Sequence, residues 1–114
     1  MSEFLFLYRG DERTTWSPAE MQERMQRWVV WMNDLRERGH LKDRGHPVER
    51  ETGKVVAGKD KTVTDGPYPE KDIIGGYSLI EARDLEHAAE LSKGCPILSF
   101  NGKVEVRALI KMDG

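Results

Sequence analysis

A strong helix signal lying between strand-like runs is the feature that most limits the folds open to this chain. The segment SPAE at 17–20 supplies a serine N-cap, a proline suited to the first helical position and a glutamate that completes a capping box. Gly39 is placed to end this helix. Its predicted buried face, at helical spacing, comprises Met21, Met25, Trp28, Val29, Met32 and Leu35. Its predicted exposed face carries Arg24, Arg27, Trp31, Asp34 and Arg38.

A second helix and several strands complete the pattern. DLEHAAELSKG is predicted as a helix with Asp84 as the N-cap and Gly94 as the stop. Strands are predicted for EFLFLYR, GGYSLIEA and KVEVRALIK, which are rich in apolar, aromatic or alternating residues. KVVAG and KTVT, separated by turn signals, predict short strands or a hairpin in the region 40–61 and just beyond it. GDERTTW is predicted to be a polar loop.

The order of these elements predicts an α+β fold. Strand, helix, strand region, strand, helix and strand make the ferredoxin-like split β-α-β arrangement, an antiparallel sheet with two helices on one face. Since chains of 114 residues seldom divide into two cores, residues 1–114 are predicted to be a single domain. The other sheet face would carry Glu105, Arg107 and Leu109, a mixture that is neither plainly polar nor plainly core. A homodimer that packs two such faces into a dimeric α+β barrel is the simplest cover.

The composition argues against several function classes. A net charge of −2 gives no electrostatic basis for binding nucleic acid, and no apolar run approaches the length of a membrane span. The first residues are typical of a strand and not of a signal peptide. The single cysteine, Cys95, cannot form an internal disulfide, which favours a reduced, cytoplasmic setting. His40 and His46 are not spaced like a zinc pair and no cofactor motif is present, so no metal and no cofactor is predicted.

The segment TVTDGPYPEKDIIGGYSLIEA, residues 62–82, holds more turn-forming and ionisable residues than one turn needs. Asp65 has two interpretations, a turn former that bonds nearby amides or a general base at the mouth of a site. Glu70 is either part of a solvated charge run or a pocket residue. The pair Gly75 and Gly76 predicts a β-bulge or a close approach within the sheet, not a phosphate cradle. We expect the turn residues to redirect the chain into the next strand and the charged residues to line or rim a cavity.

This segment and the sequence that follows it resemble the DGPF-domain proteins of the YCII-related group. The matches are Asp-Gly-Pro at 65–67, Glu-Lys at 70–71, Gly-Gly-Tyr at 75–77 and Val-Glu-Val-Arg at 104–107. The chain departs from the family pattern in having Tyr at 68 and Ala at 108, where the family usually has Phe and Pro. The resemblance implies a ferredoxin-like fold and a dimeric α+β barrel. Some relatives look like small enzymes with a His–Asp pair, and others are encoded beside extracytoplasmic-function sigma factors, which suggests a regulatory link.

A few polar residues are candidates for a functional site. Asp65 and His46 are the candidate catalytic residues, although YCII-like enzymes place their histidine nearer the first helix and His46 is therefore a separate hypothesis. Arg107 is expected to point away from the helix-covered face, where a guanidinium needs a carboxylate or an anionic ligand. A structural ion pair with Asp65 or Glu105 is the alternative for Arg107. The candidate ligand-binding residues are Tyr77, Arg107 and Glu70.

Two function classes remain open from the sequence. The first is a protein that binds a small polar or anionic molecule, or an enzyme that converts one, in a pocket of the dimeric barrel. The second is a non-catalytic regulatory or interaction module that contacts a protein partner. Because Trp and Arg are enriched in protein contacts, the partner surface would include Arg27, Trp31 and Trp16.

Overall fold

The computed structural model describes residues 1–10 and 16–112, so most of the polar loop predicted at 10–16 lies outside the described residues. The strands are β1 (Ser2–Arg9), β2 (Leu41–Asp43), β3 (Lys54–Ala57), β4 (Thr62–Asp65), β5 (Ile74–Ala82) and β6 (Lys103–Ala108), and the helices are α1 (Pro18–Glu37) and α2 (Leu85–Ser92). The main sheet is antiparallel, with the strand order β2-β5-β1-β6. This is the predicted ferredoxin-like α+β arrangement, and within the described residues of one chain the sheet stays open and closes no barrel.

The helix ends confirm the capping signals in the sequence. Ser17 Oγ accepts a hydrogen bond from the Glu20 amide at 3.1 Å, and Glu20 Oε1 accepts one from the Ser17 amide at 3.1 Å, so the capping box of α1 is complete. Gly39 has a φ of +80°, the left-handed conformation that often ends a helix. Asp84 Oδ1 accepts from the His87 amide at 2.8 Å and begins α2. Neither helix in the described part of the chain is long and apolar enough to cross a membrane.

The hydrophobic core lies between the two helices and the inner face of the sheet. Side chains alternate along a strand, and every second residue of β1 is buried on this side. Trp31 of α1 stacks on Phe6 of β1 with ring centroids 6.3 Å apart. A 3₁₀ turn over Pro96–Phe100 closes one end of the core. The buried residues are Phe4, Phe6, Tyr8, Trp31, Met32, Leu35, Ile80, Ala82, Ala88, Leu91, Cys95 and Ile97.

The predicted orientation of α1 is wrong in part. Trp31, predicted on the exposed face, is only 8% exposed. A stripe that begins at Trp28 and ends at Leu35 has the same helical spacing as the predicted one, so the sequence contains two overlapping apolar stripes. Gly94 favours the second stripe, because a Cβ at this position would lie 2.9 Å from Trp31 Nε1 and obstruct the indole. The residues predicted as buried but found exposed are Met21, Met25 and Val29.

The outer face of the sheet is left open by both helices. Leu7 lies in its middle, paired with Tyr77 on β5 and with Glu105 on β6, and these three side chains are half-buried. Val104 and Val106 pack on the core, which confirms the predicted alternation within β6. The strand ends at Ala108, however, so Leu109, predicted on the other sheet face, lies beyond it. We call this surface the open face and define it by Leu5, Leu7, Arg9, Tyr77, Leu79, Glu105 and Arg107.

A β-hairpin separate from the main sheet is formed by β3 and β4. These strands pair with each other over residues 54–65, in the region predicted to hold short strands or a hairpin. Gly66 follows β4 with a φ of +91°, and its amide donates to the Gly53 carbonyl at 2.8 Å. The Asp-Gly-Pro segment therefore closes the base of the hairpin and turns the chain back toward the main sheet.

The glycine pair near the start of β5 produces the predicted bulge. Tyr8 pairs with Gly76, but the next residue, Arg9, pairs with Ile74, so Gly75 is the extra residue. A Cβ on Gly76 would lie 3.2 Å from a backbone carbonyl of the preceding loop, which runs close beside β5. The bulge and the close approach are both confirmed.

Candidate functional site

Arg9, the last residue of β1, is the centre of a polar cluster on the open face. Its Nε donates to Glu105 Oε1 at 2.7 Å, and its Nη1 donates to Glu70 Oε2 at 2.7 Å. Nη1 also donates to the main-chain carbonyl of Asp72 at 2.9 Å. The partners lie from 61 to 96 positions away along the chain. Arg9 therefore fastens the segment that follows the hairpin to the end of the sheet.

Two further ion pairs extend this cluster. Arg107 Nη1 donates to Glu105 Oε2 at 3.2 Å, and Lys103 Nζ donates to Asp72 Oδ2 at 2.9 Å. Of the two partners considered for an ion pair of Arg107, Glu105 is the one that the structure supplies. We call this group the Arg9 cluster; its three cations and three carboxylates are Arg9, Lys103, Arg107, Glu70, Asp72 and Glu105.

The cations of the Arg9 cluster lower the pKa values of two of its carboxyl groups. The hydrogen bond from Arg9 is the main cause of the lowered pKa of Glu105, and the hydrogen bond from Lys103 is the main cause for Asp72. The hydrogen bond to Glu70 in turn raises the pKa of Arg9. These hydrogen bonds therefore join charged groups at neutral pH.

Acid is expected to weaken the attachment that Arg9 makes. The folded-state pKa values of Glu105 and Asp72 lie below their unfolded values of about 4.3 and about 3.9, so their contribution to stability is complete above those values and is lost as the pH falls through the folded-state values. We expect the urea midpoint of the wild type to fall more between about pH 5 and about pH 3 than that of Arg9→Met, which lacks the main partner of Glu105.

Arg38→Met is the control for this measurement. Arg38 forms an exposed ion pair with Asp34 at 2.9 Å, outside the Arg9 cluster, so its loss should leave most of the acid dependence unchanged. An equal fall in the wild type and in Arg9→Met would contradict the role given to Arg9.

His46 and Tyr77 form a second polar element at the edge of the open face. Their ring centroids are 6.3 Å apart, and the Tyr77 amide donates to the His46 carbonyl at 3.3 Å. Gly45 lets the loop run against β5, because it has a φ of +69° and a Cβ here would lie 1.8 Å from the Tyr77 carbonyl oxygen. The predicted catalytic residue His46 and the predicted ligand-binding residue Tyr77 are therefore neighbours.

A buried hydrogen-bond chain holds the same loop from the core side. Tyr8 Oη donates to Ser78 Oγ at 2.8 Å, and Ser78 Oγ donates to the Arg44 carbonyl at 2.6 Å. Burial raises the pKa of Tyr8, so its phenol stays protonated and remains a donor. Because Arg44 lies two residues before His46, this chain fixes the backbone beside the imidazole.

Asp65 lies apart from the other predicted site residues. It ends β4, its side chain is 88% exposed, and it accepts a hydrogen bond from Lys54 Nζ. Glu70 and Arg107 belong to one group, the Arg9 cluster. His46 and Tyr77 form the other. Asp65 contacts neither group. A role for Asp65 in catalysis or binding stays a prediction.

Arg9 is the central residue of this site, and the sequence analysis missed it together with Asp72 and Lys103. Leu5, Leu7 and Arg9 alternate with the buried aromatic residues of β1, so the period of the strand places Arg9 on the open face. A cation at the end of an apolar strand needs a counter-charge. The alternation that placed Arg107 on this face would therefore have identified Arg9 as well.

Of the three residues predicted to form a surface for a protein partner, one is buried and two contact the 3₁₀ turn. Trp31 is buried, so its assignment to an exposed contact surface is wrong. Arg27 donates to Ser99 Oγ at 3.1 Å and lies over the Phe100 ring at 5.4 Å, and Trp16 packs edge-on against the same ring at 5.1 Å. These contacts tie α1 and the residue before its N-cap to the 3₁₀ turn.

The groove on the helix side of the molecule has fewer groups suited to catalysis or binding than the open face. A shallow groove of about 700 Å³ lies between α1 and residues 93–99, with Cys95 in its lining. Burial raises the pKa of the Cys95 thiol to about 12, so the thiolate nucleophile does not form at neutral pH. In residues 1–10 and 16–112, no group of three His, Cys, Asp or Glu side chains is arranged to hold a metal ion.

Comparison with models of protein families identifies the family of this chain. A family model described as the YCII-related domain matches residues 3–113, a range that contains the strands and helices of the structure except Ser2, the first residue of β1. The matched residues include the Arg9 cluster and the His46–Tyr77 pair. No curated protein matches the sequence significantly.

Proposed function

Because this chain belongs to the YCII-related domain family, we propose that it forms a homodimer that binds or converts a small polar molecule at the open face. The narrower resemblance to the DGPF-domain proteins is part of this proposal. The observation that carries it is the open face itself, where half-buried apolar side chains lie between the Arg9 cluster and the His46–Tyr77 pair. Apolar surface with a few convergent polar groups is the usual composition of a ligand site.

A second copy of the chain is the proposed cover of this face. Leu5 pairs with Leu79, and Leu7 pairs with Tyr77, so the apolar centre is continuous across β1 and β5. Two sheets packed face to face lie about 10 Å apart and bury such side chains between them. A twofold axis would place the polar groups of both copies around one enclosed space.

The proposed ligand is small and carries an anionic or hydrogen-bond-accepting group. Arg107 is exposed and donates through Nη1 to Glu105, so the other N–H donors of its guanidinium can bind a ligand. Glu70, held by Arg9, is a candidate acceptor for the donors of a ligand. His46 supplies an imidazole, the commonest general acid or base in enzymes, and Tyr77 supplies a phenol beside it.

Light scattering at micromolar concentration tests the proposed assembly. We expect a dimer for the wild type and a monomer for Leu7→Lys, because a charge in the centre of the open face would have to be buried in the dimer. Val30→Lys is the matched control, since Val30 lies on α1 and is 69% exposed. Circular dichroism checks that both variants fold. A monomeric wild type would contradict the proposal.

A thermal-shift screen with mixtures of small metabolites tests the ligand site on the same proteins. We expect a ligand-induced shift in the wild type that Arg107→Ala loses and Arg36→Ala keeps, because Arg36 is an exposed arginine on α1. Asp65→Asn decides the predicted role of Asp65: loss of the shift in a folded dimer would support it, and retention would exclude it. A wild type that responds to no mixture would contradict ligand binding.

An interaction module is the second candidate function, and the outer surface of α1 favours it. Met21, Met25 and Val29 are exposed at helical spacing, and exposed methionines are typical of adaptable protein-binding surfaces. A pull-down with wild type and Met25→Glu tests this alternative. Loss of a protein partner in Met25→Glu, with the ligand-induced shift unchanged, would favour a regulatory role over the small-molecule site.

A further inference from the structure

The β3–β4 hairpin presents apolar side chains that the main sheet and helices do not cover. We call residues 53–66 the arm. Val56 and Val63 face each other across its two strands and are 64% and 56% exposed. A two-stranded hairpin alone is at best marginally stable in water, and a third layer or strand normally covers one of its faces.

The molecule is more extended than a compact domain of its length. The radius of gyration is 15.8 Å, whereas a compact domain of this length has about 13 Å. The principal extents are 46 × 46 × 20 Å. The smallest extent is the thickness of one helix layer on one sheet, each about 10 Å. The strands of the arm pair only with each other and with no strand of the main sheet, which agrees with an arm outside the compact body.

The base of the arm, where its two ends meet, is close in sequence to the Arg9 cluster of the open face. Its last residue, Gly66, is four positions before Glu70, and Glu70 is bonded to Arg9 at the end of β1. A second copy seated on the open face would consequently lie next to the base of the arm. Twofold symmetry then gives each copy one arm and one surface to receive the other arm.

The charges of the arm and of the open face are complementary. The tip of the arm has the sequence Lys59-Asp60-Lys61 and carries a net positive charge. At the far end of the open face, Glu3 and Glu81 are paired directly opposite each other on β1 and β5. Like charges in such a pair are unfavourable, and Lys42 on the adjacent strand forms an ion pair with one of the two glutamates.

We infer that the arm of each copy packs on the second copy of this chain, with Val56 and Val63 against its sheet and the tip lysines beside its Glu81. This inference rests on the proposed homodimer and adds a second, reciprocal contact to it. The cover that a two-stranded hairpin lacks in one copy is supplied by the other copy. The same contact brings further positive charge to Glu3 and Glu81, two carboxylates that share Lys42 within one copy.

Sedimentation equilibrium on the double variant Val56→Lys/Val63→Lys tests the arm contact. We expect the dimer dissociation constant to rise roughly tenfold or more, because two apolar side chains per arm lose their cover. Both residues are exposed in one copy, so the variant should fold normally by circular dichroism. Val30→Lys, at an equally exposed valine on α1, should leave the dissociation constant unchanged. Equal constants for the arm variant and Val30→Lys would overturn the inference.

A charge-reversal rescue tests the receiving surface. Lys59→Glu/Lys61→Glu should weaken the dimer, and the addition of Glu81→Lys should restore it; a lack of rescue would exclude Glu81 as the acceptor. The outcomes also separate this inference from the proposed function. A monomeric wild type contradicts both, whereas a dimer that Leu7→Lys disrupts and the arm variants leave intact overturns the arm contact alone.

Discussion

Replacing Gly45 by alanine is expected to lower the free energy of unfolding by about 3 kcal/mol or more. Two causes add at this position. Gly45 has a φ of +69°, where a side chain strains the backbone, and its Cβ would lie 1.8 Å from the Tyr77 carbonyl oxygen. The carbonyl belongs to a strand of the main sheet and cannot move away without disturbing the sheet. Urea denaturation of the wild type and the variant measures the effect.

Gly66→Ala is the matched control for Gly45→Ala. Gly66 has a φ of +91°, but no atom lies within 4 Å of its ideal Cβ position, so the control isolates the backbone strain. We expect that strain to cost about 1–2 kcal/mol. If both variants lose the same free energy, the contact with Tyr77 is easily relieved and the loop that carries His46 is not rigid.

Trp31→Ala is expected to lower the free energy of unfolding by about 3–5 kcal/mol, as is usual for a large aromatic residue removed from a core. The indole is only 8% exposed, stacks on Phe6 and meets Tyr8 with ring centroids 6.2 Å apart. Its removal would leave a cavity between α1 and β1, the two elements that must pack for the core to form. Thermal or urea unfolding measures the loss.

Val30→Ala is the control for Trp31→Ala on the neighbouring residue of the same helix. Val30 is 69% exposed, and substitutions at such positions usually change stability by less than about 0.5 kcal/mol. If Trp31→Ala loses as little free energy of unfolding as Val30→Ala, Trp31 is not part of the core, and its predicted position on the exposed face is correct.

Local signals made most of the fold predictable. The capping box at Ser17, the N-cap at Asp84 and the helix stop at Gly39 depend only on neighbouring residues. Together with the apolar patterns of the strands, they determined the predicted order of elements. The side of α1 that faces the sheet was not predictable in this way. Two apolar stripes with helical period overlap there, and the fit of Trp31 over Gly94 decides between them through a contact between residues far apart in the sequence.

The site was predictable only in part, because long-range register assembles it. The alternation of β6 placed Arg107 on the open face, and its partner Glu105 was one of the two considered. Glu70 reaches that face because Arg9 binds it across 61 positions, which no local pattern shows. Asp65 precedes the turn that closes the base of the hairpin and returns the chain to the main sheet, so its motif indicated an architectural position as readily as a catalytic one.

The central position of β1 has a consequence for biosynthesis. This strand is made first, but its two neighbours in the sheet begin only at residues 74 and 103. At a translation rate of about 5–20 residues per second, the interval between synthesis of β1 and synthesis of its first neighbouring strand is on the order of several seconds. During this time β1, with Phe4, Phe6 and Tyr8, has no strand to pair with. A nascent chain in that interval exposes an aromatic strand that is prone to association. Closure of this long loop, and not the formation of the well-capped α1, is therefore expected to limit the rate of folding.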